Sequence, residues 1–597
     1  MSEAPLCPTA GAMDPLAPRR RRPALRFHLL GVVLVVTLAT AASAQEAGTD
    51  RTEVDYDPFV TVAAAMGLPS APLSPLVVSY MPDATTLEAN GAIIGEVTIN
   101  NGEIFDPDKE GENNWLFRTA NKLHINTRPR VIRSLLLFKP GDPYSAQKIA
   151  ESERIIRESP YLYDADIRAV RYHDNKVDLV VDTRDVWTLS GGIGFGRTGG
   201  ANDARLGLRD SNFLGTGKDI TIQWSTNIDR TSMLYRFIDP NVGGSRVRMD
   251  LSYRDNSDGE SWAVEGARPF YSLDTRWAVG GVALTDSRVE TRWNLGEITD
   301  EFTQDETRYS MYGGTSKGLV KGRVGRWRFG YTYSESLFSP APEGPENSII
   351  PEDRILSYPW FSYERIEDQF LELHDFNLIH RTEDLNLGQT MRFNLGYSSE
   401  ALGGNRDQFI FGSFYRNGLT PGRGQMMFVS AHGTGRFGPS GTENVVIGGQ
   451  GQYYLRNLGR HLFFVGLEAD IAYNLDLDNQ LLLGGDTGLR GYPLRYQTGD
   501  RRVLLTVEQR FFTDWHLFKL LRVGGAVFAD AGAAWYADAN GNNPANLGLL
   551  RDVGLGLRLS SSRSSDGAMI HIDVAFPLDG TDDIDPVQFY ITTKDTF

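Results

Sequence analysis

Arg246-Val247-Arg248-Met249-Asp250-Leu251-Ser252-Tyr253-Arg254 alternates without a break between large apolar residues at odd positions and polar ones at even positions. Successive side chains of an extended chain point to opposite faces, so this stretch is a strand with one apolar and one charged face. The same rule places Ile220, Ile222 and Trp224 against Asp219, Thr221, Gln223 and Ser225, and Trp327, Phe329, Tyr331 and Tyr333 against Arg326, Arg328, Gly330 and Thr332. It returns near the end in Ile570, Ile572, Val574 and Phe576 against His571, Asp573 and Ala575. An arginine facing lipid at mid-bilayer costs about 2–4 kcal/mol, so the charged side must be wet or paired while the aromatic side meets hydrocarbon. A soluble antiparallel sandwich also alternates. Here the apolar positions are unusually large and aromatic, an export signal stands at the N-terminus, and the chain ends on the aromatic strand Phe589-Tyr590-Ile591-Thr592-Thr593-Lys594-Asp595-Thr596-Phe597. These features favour an all-β transmembrane barrel. From Trp187, about 410 residues at about 25 per strand and connection give about 16 antiparallel strands over residues 187–597.

One irregular stretch interrupts the alternation. Gly484-Gly485-Asp486-Thr487-Gly488-Leu489-Arg490-Gly491-Tyr492-Pro493 holds four glycines around a permanently charged arginine with five donors. It reads as a loop, 484–493, that folds inward, where Arg490 needs acid partners. Glu508 lies on the face opposite Leu505, Val507 and Phe511, and Asp530 on the face opposite Leu521, Val523 and Val527, together with Phe528. Both carboxylates are therefore expected to point away from lipid. An arginine so placed clamps a loop to a wall whether or not it has a further role in transport.

The N-terminus sets the compartment. Arg19 to Arg22 and Arg26 precede the apolar run Leu29 to Leu38, which ends at Ala42-Ser43-Ala44, the pattern of a signal peptide over residues 1–44. Its five arginines stand against Glu3 and Asp14, so the formal charge of −16 falls to −19 after cleavage and argues against a nucleic-acid partner. The sole cysteine, Cys7, lies in the presequence, which leaves the mature chain without thiol or disulfide. A hydrophobic content of 41% and a mean hydropathy of −0.31 look soluble, but an alternating barrel averages to the same values.

Residues 45–91, rich in Ala, Pro, Ser and acids, read as a flexible linker. A small α+β unit follows over 92–186. Its parts are a strand Ile94 to Ile99, a polar insertion to about Asn126, a helix capped by Thr127, and a second helix capped by Ser145. Two strands around the turn Asp174-Asn175-Lys176 complete it. The order is β-α-α-β-β.

Enzyme signals fail on context, and no catalytic residue is expected. Gly314-Thr315-Ser316-Lys317-Gly318 matches the nucleophile-elbow string, which requires a strand-to-helix turn, yet it lies among barrel strands. Gly194-Phe195-Gly196-Arg197-Thr198-Gly199 is followed by no helix that would receive a phosphate. The nine histidines show no metal spacing, so neither metal nor cofactor is expected.

The chain resembles the BamA and TamA superfamily of outer-membrane assembly and secretion barrels, in which periplasmic POTRA domains of order β-α-α-β-β precede a barrel of about 16 strands. Three elements in order carry the resemblance: Leu489-Arg490-Gly491-Tyr492 in the inward loop, Glu508 on a following strand, and Phe528-Ala529-Asp530-Ala531-Gly532. Asp210-Ser211-Asn212-Phe213-Leu214-Gly215-Thr216-Gly217 is also similar to the family. The resemblance implies that Leu489, Arg490, Gly491 and Tyr492 form the loop motif and that Glu508, Phe528, Asp530 and Gly532 seat it. It implies too that Phe589, Ile591 and Phe597 belong to a C-terminal assembly signal. Relatives usually carry several POTRA domains while this chain has room for one, and Asp595 falls on the lipid side by parity from Phe597.

The function so implied is insertion or translocation of unfolded outer-membrane or secreted polypeptides. The barrel would sit in the outer-membrane bilayer, with the N-terminal domain in the periplasm open to partner proteins. The strand edge at Ile94, Val97 and Ile99 would offer β-augmentation to a client. The alternative is a passive pore or structural barrel without clients. Cleavage after Ala44 is expected, so N-terminal sequencing of protein from the outer-membrane fraction should begin at Gln45; an intact presequence, or recovery from the soluble periplasm, would contradict this reading.

Overall fold

The computed structural model describes residues 81–597 except 346, 458, 460, 538–546, 565–568, 581–583 and 595–597, together with the side chains of 192 and 193. The presequence, linker residues 45–80, Asp595 and Phe597 therefore lie outside the described residues.

An α+β domain comes first. Its elements are α1 (Ala84–Ala89), β1 (Ile93–Gly102), α2 (Trp115–Leu123), α3 (Pro129–Leu135), α4 (Ala146–Arg157), β2 (Leu162–His173) and β3 (Lys176–Asp185). The sheet order is β1-β3-β2, with β1 parallel and β2 antiparallel to β3. Asp174 and Asn175 both take positive φ, which closes the β2–β3 hairpin with the twist that strand pairing prefers. Ile94, Val97, Ile132, Ile156, Leu179 and Val181 meet in its core.

Three local expectations are corrected. Residues 84–89 of the expected linker are helical, because the Oδ1 of Asp83 caps the helix by accepting the Thr86 N–H at 2.7 Å. The polar insertion contains α2, capped by Asn114 through the Phe117 N–H at 2.9 Å. Thr127 does not cap α3: Arg128 takes that place ahead of Pro129, whose missing N–H would have been an orphan donor anyway. The Thr127 N–H instead donates to Asp185 Oδ2 at 2.7 Å, and its hydroxyl accepts from Asn212 Nδ2 at 2.7 Å. Ser145 does cap α4.

β1 is an edge strand, but its start is occupied. The Ile94 N–H donates to Asp142 O and its carbonyl accepts from the Gly141 N–H, both at 2.8 Å. The edge expected at Ile94, Val97 and Ile99 therefore begins beyond Ile94.

Among the described residues no helix is long and apolar enough to cross a membrane. Most of the described residues that follow form a closed barrel of 20 antiparallel strands, from Leu189–Thr198 to Gln588–Lys594. The expectation of about 16 falls short because many connections are far shorter than assumed. Residues 199–200, 257–258, 295–296, 321–322 and 439–440 each join two strands with only two residues. Leu295 with Gly296 and Lys321 with Gly322 take the paired positive φ of such turns. The number of strands lies within the range of known membrane barrels.

Outward positions carry Trp224, Tyr253, Trp327, Phe329, Val527 and Ile570, all exposed, while Asp250, Arg326, Glu364 and His571 are buried inside. Interior charges are paired, as in Arg326 Nη1 to Glu364 Oε2 at 3.1 Å and Arg354 Nη2 to Asp478 Oδ2 at 2.8 Å. The G-x-S-x-G string at 314–318 lies inside the strand Glu297–Val320, and residues 194–199 run into the turn at Gly199 and Gly200. Wall height is uneven. Strands of 18, 24 and 18 residues (Trp277–Asn294, Glu297–Val320 and Arg323–Pro340) stand across from the closing pair, whose members have 10 and 7.

Two hairpins leave the wall. Phe370–His374 pairs with Thr382–Asn386, and Leu481–Leu483 with Gln497–Gly499. The first carries Phe376 and Ile379 at its tip, both buried against Phe428, Tyr454, Phe512 and Met569 of the inner wall. It also binds the α+β domain. Arg157 holds Asp384 through Nε at 2.7 Å and Nη2 at 2.8 Å, and the Tyr163 hydroxyl donates to His380 O at 2.8 Å. Further contacts run around the rim. The Arg128 N–H donates to Gly215 O, Arg246 Nη2 to Leu136 O, the Leu273 N–H to Glu151, and Arg563 Nη1 to Ile104 O. Domain and hairpin thus close one mouth of the barrel.

Arg157→Ala removes a bidentate charge-assisted pair worth about 1.5–3 kcal/mol. Amide hydrogen exchange should quicken in α4 and in residues 370–386 while the wall strands stay protected. Unchanged exchange there would show that the domain is seated without this pair.

Candidate functional site

Residues 474–500 connect the strands His461–Tyr473 and Arg501–Leu517 and turn into the lumen. The short ladder Leu481–Leu483 with Gln497–Gly499 forms the stem. At the turn, the Gly484 N–H donates to Thr487 Oγ1 at 2.7 Å and the Gly485 N–H to Pro493 O at 2.9 Å. Gly485 permits a close approach to the wall: a Cβ there would lie 2.6 Å from the Cα of Gly199 on the first barrel hairpin. The Leu494 N–H donates to Gly199 O at 3.1 Å across the same contact.

Arg490 is enclosed by acids. Its Nε donates to Asp530 Oδ2 at 2.8 Å and Nη2 to Asp530 Oδ1 at 3.1 Å, a bidentate grip. Nη1 reaches Glu508 Oε2 at 3.1 Å and Asp573 Oδ2 at 3.4 Å. The guanidinium lies 3.3 Å over the Phe528 ring centroid, where the negative face of the aromatic quadrupole favours a cation. All three acids are fully or almost fully buried. Two further arginines complete the balance. Arg510 Nε donates to Glu508 Oε1 at 2.9 Å, and Arg558 bonds Asp573. Burying any of these charges alone would cost several kcal/mol, so the set holds only as a set.

Apolar packing fixes the loop beside this network. Leu489 and Tyr492 are fully buried with Leu483, Tyr496, Leu504, Ala534 and Leu550. The Tyr492 hydroxyl lies 2.6 Å from Arg551 O and accepts from the Arg551 N–H at 3.1 Å. The Gly491 N–H donates to Asp552 Oδ2 at 3.0 Å. Gly532 leaves the space that Leu483 fills, since a Cβ there would stand 3.0 Å from Leu483 Cδ2.

The structure thus brings Leu489, Arg490, Gly491 and Tyr492 together with Glu508, Phe528, Asp530 and Gly532. Asp552 and Arg558 were not named from the sequence, and Asp573 and Arg510 were not named as members of this site. Asp573 had already been placed on the polar side of its strand, but parity does not tell which strand faces the loop. Phe589 is exposed on the outer wall and Ile591 is half-buried; the described residues of the expected C-terminal signal lie on the last strand, with Ile591 opposite Arg197 of the first. β1, with Val97 and Ile99, is remote in the α+β domain. Between the loop and the 370–386 hairpin the lumen keeps a cavity of 520 Å³, lined by Phe376, Asp486, Arg490, Glu508, Arg510 and Lys594 among others. No group of metal-binding side chains occurs among the described residues.

Residues 124–184, which cover α3, α4, β2 and β3, match the family model of the POTRA repeat, described as the surface antigen variable number repeat. The chain carries a POTRA domain. With the closed barrel that follows it, this match bears out the resemblance to the BamA and TamA superfamily. Solved structures similar to the chain include BamA from Haemophilus ducreyi lacking POTRA domains 1-3, at 13% identity over 84% of this chain and 85% of that one with a TM-score of 0.38. CdiB from Escherichia coli is 11% identical over 84% of this chain and 76% of that one, with a TM-score of 0.43. CdiB from Acinetobacter baumannii is 10% identical over 84% and 74%, with a TM-score of 0.40. A search of curated proteins finds no match.

Arg490→Ala should destabilise the loop seat by about 3–5 kcal/mol, the cost of leaving buried acids uncompensated. Arg490→Lys should recover only part, since an ammonium cannot grip Asp530 bidentately while reaching Glu508. Thermal unfolding of the barrel should show Arg490→Ala with Asp530→Ala to be less damaging than the sum of the single changes. Strict additivity would contradict the contact.

Proposed function

We propose that the protein is an outer-membrane factor that inserts or translocates other polypeptides, with its POTRA domain in the periplasm. The closing seam supports this most. Among the described residues the last strand pairs with the first at one position, Ile591 with Arg197, whereas every other neighbouring pair in the wall pairs at seven or more. A seam with so few ladder bonds leaves backbone donors and acceptors for an incoming strand, the chemistry of β-augmentation. The POTRA domain below the mouth would receive unfolded clients, with the β1 edge beyond Ile94 as a first contact.

The inward loop supports the same reading, because it touches both sides of the seam. It binds Asp552 and Asp573 near the end of the barrel and Gly199 near its start. Such a loop keeps the two sides in register while the ladder between them opens. The lumen, occupied by this loop and by the 370–386 hairpin, is a poor water channel, which weighs against the passive pore. No catalytic step is part of this proposal.

Residues 197 and 591 face one another directly, within the span a disulfide bridges. Arg197→Cys with Ile591→Cys should abolish client assembly when oxidised and regain it on reduction, read as the amounts of other outer-membrane proteins in a strain depleted of the wild type. Full activity of the oxidised form, or normal client levels on depletion alone, would overturn the proposal.

A further inference from the structure

The helix α2 presents large apolar residues to the outside. Trp115 is 72% and Leu123 71% exposed; at about 100° per residue Leu123 lies about 80° and Leu116 about 100° round the helix from Trp115, so the three share one face, and Ile125 follows in the next turn of chain. The opposite face of the helix is already used. Phe117 stacks on Phe105 at 4.0 Å and packs with Ala120 against Trp187 and Leu520 of the barrel. The outer face of this nine-residue helix is separate from its core side, where Phe117 is already buried against the barrel.

Its surroundings say what covers it. One neighbouring barrel turn, between the strands Arg501–Leu517 and Leu521–Trp535, exposes Leu517 and Phe518, with Trp515 just before it. Another, between Ala201–Asp210 and Asp219–Thr226, exposes Phe213 and Leu214, and its Gly215 lies against Ile125 and Asn126. The seam strands run between these two turns. Arg563 Nη1 to Ile104 O at 2.8 Å, with Thr127 bonded to Asn212, bolts the segment 104–127 across that interval. The apolar outer face of α2 is thus flanked by exposed apolar residues of two barrel turns. Arg118 and Lys122 are exposed along one flank of this face, where anionic headgroups would lie.

We propose that α2 is an interfacial helix that lies in the bilayer surface directly below the seam, its partner being the lipid leaflet on the POTRA side. This rests on the membrane reading of the barrel. The helix holds the POTRA domain against the membrane at the one place where the wall is weakly closed, and its side chains occupy volume among the acyl chains there.

The test uses full-length protein carrying Cys7→Ser, reconstituted in vesicles of phosphatidylethanolamine and phosphatidylglycerol and spin-labelled at a single introduced cysteine. Collision with oxygen, which partitions into lipid, is compared with collision with a water-soluble nickel chelate. Leu123→Cys and, independently, Leu116→Cys should show an oxygen-to-nickel ratio several-fold above that of Val170→Cys on β2 and close to that of Val527→Cys on the outer wall. If Val527 reports lipid while both helix positions report water, α2 faces solvent or a protein partner and the inference is overturned. If Val527 also reports water, the membrane reading of the barrel fails, and this inference with it.

Discussion

A positive charge buried in the lumen, Arg490, organises the quarter of the barrel that follows it. Its fork cannot be neutralised at any accessible pH, so the fold must supply acids around it. Glu508, Asp530 and Asp573 come from three different strands, and they meet only when those strands are wound into one wall at one stagger. Arg510 and Arg558 then keep those acids from burdening the interior with surplus negative charge. A local side chain is thereby tied to global closure: shifting any of the three strands by one residue turns its acid towards lipid.

The lumen is occupied from two directions by different means. The inward loop is seated by charge and by the packing of Leu489 and Tyr492, whereas the hairpin at 370–386 is seated by Phe376 and Ile379 in an apolar cluster. The hairpin is also gripped from below by Arg157 and Tyr163 of the POTRA domain. Domain position and lumen occupancy are consequently coupled through a few polar contacts of modest strength, which makes the mouth adjustable without disturbing the wall.

Strand alternation made the barrel legible because the period of two survives any amount of local variation. It made the inward direction of Glu508 and Asp530 legible for the same reason. Asp573 had the right parity, yet nothing local says which strands end up facing the loop, since that depends on the stagger of the whole ring. The number of strands was misjudged through the connections, whose two-residue turns such as Leu295 and Gly296 crowd more strands into the same length. α2 escaped notice because its nine residues lie within a polar, Asn- and Glu-rich insertion and are too few to show a sustained helical period. Thr127 looked like a cap until Pro129 moved the helix start by one residue.

The uneven wall has a mechanical meaning. Across from the seam, strands of 18 to 24 residues are laced by ladders as long as 18 paired positions, while among the described residues the seam itself holds one. A ring built this way does not share a lateral load equally. Strain concentrates where the cross-section is thinnest, and the tall side behaves as a stiff curved plate that flexes little while the short side yields. Crowding or tension in a surrounding bilayer would be felt first at that line.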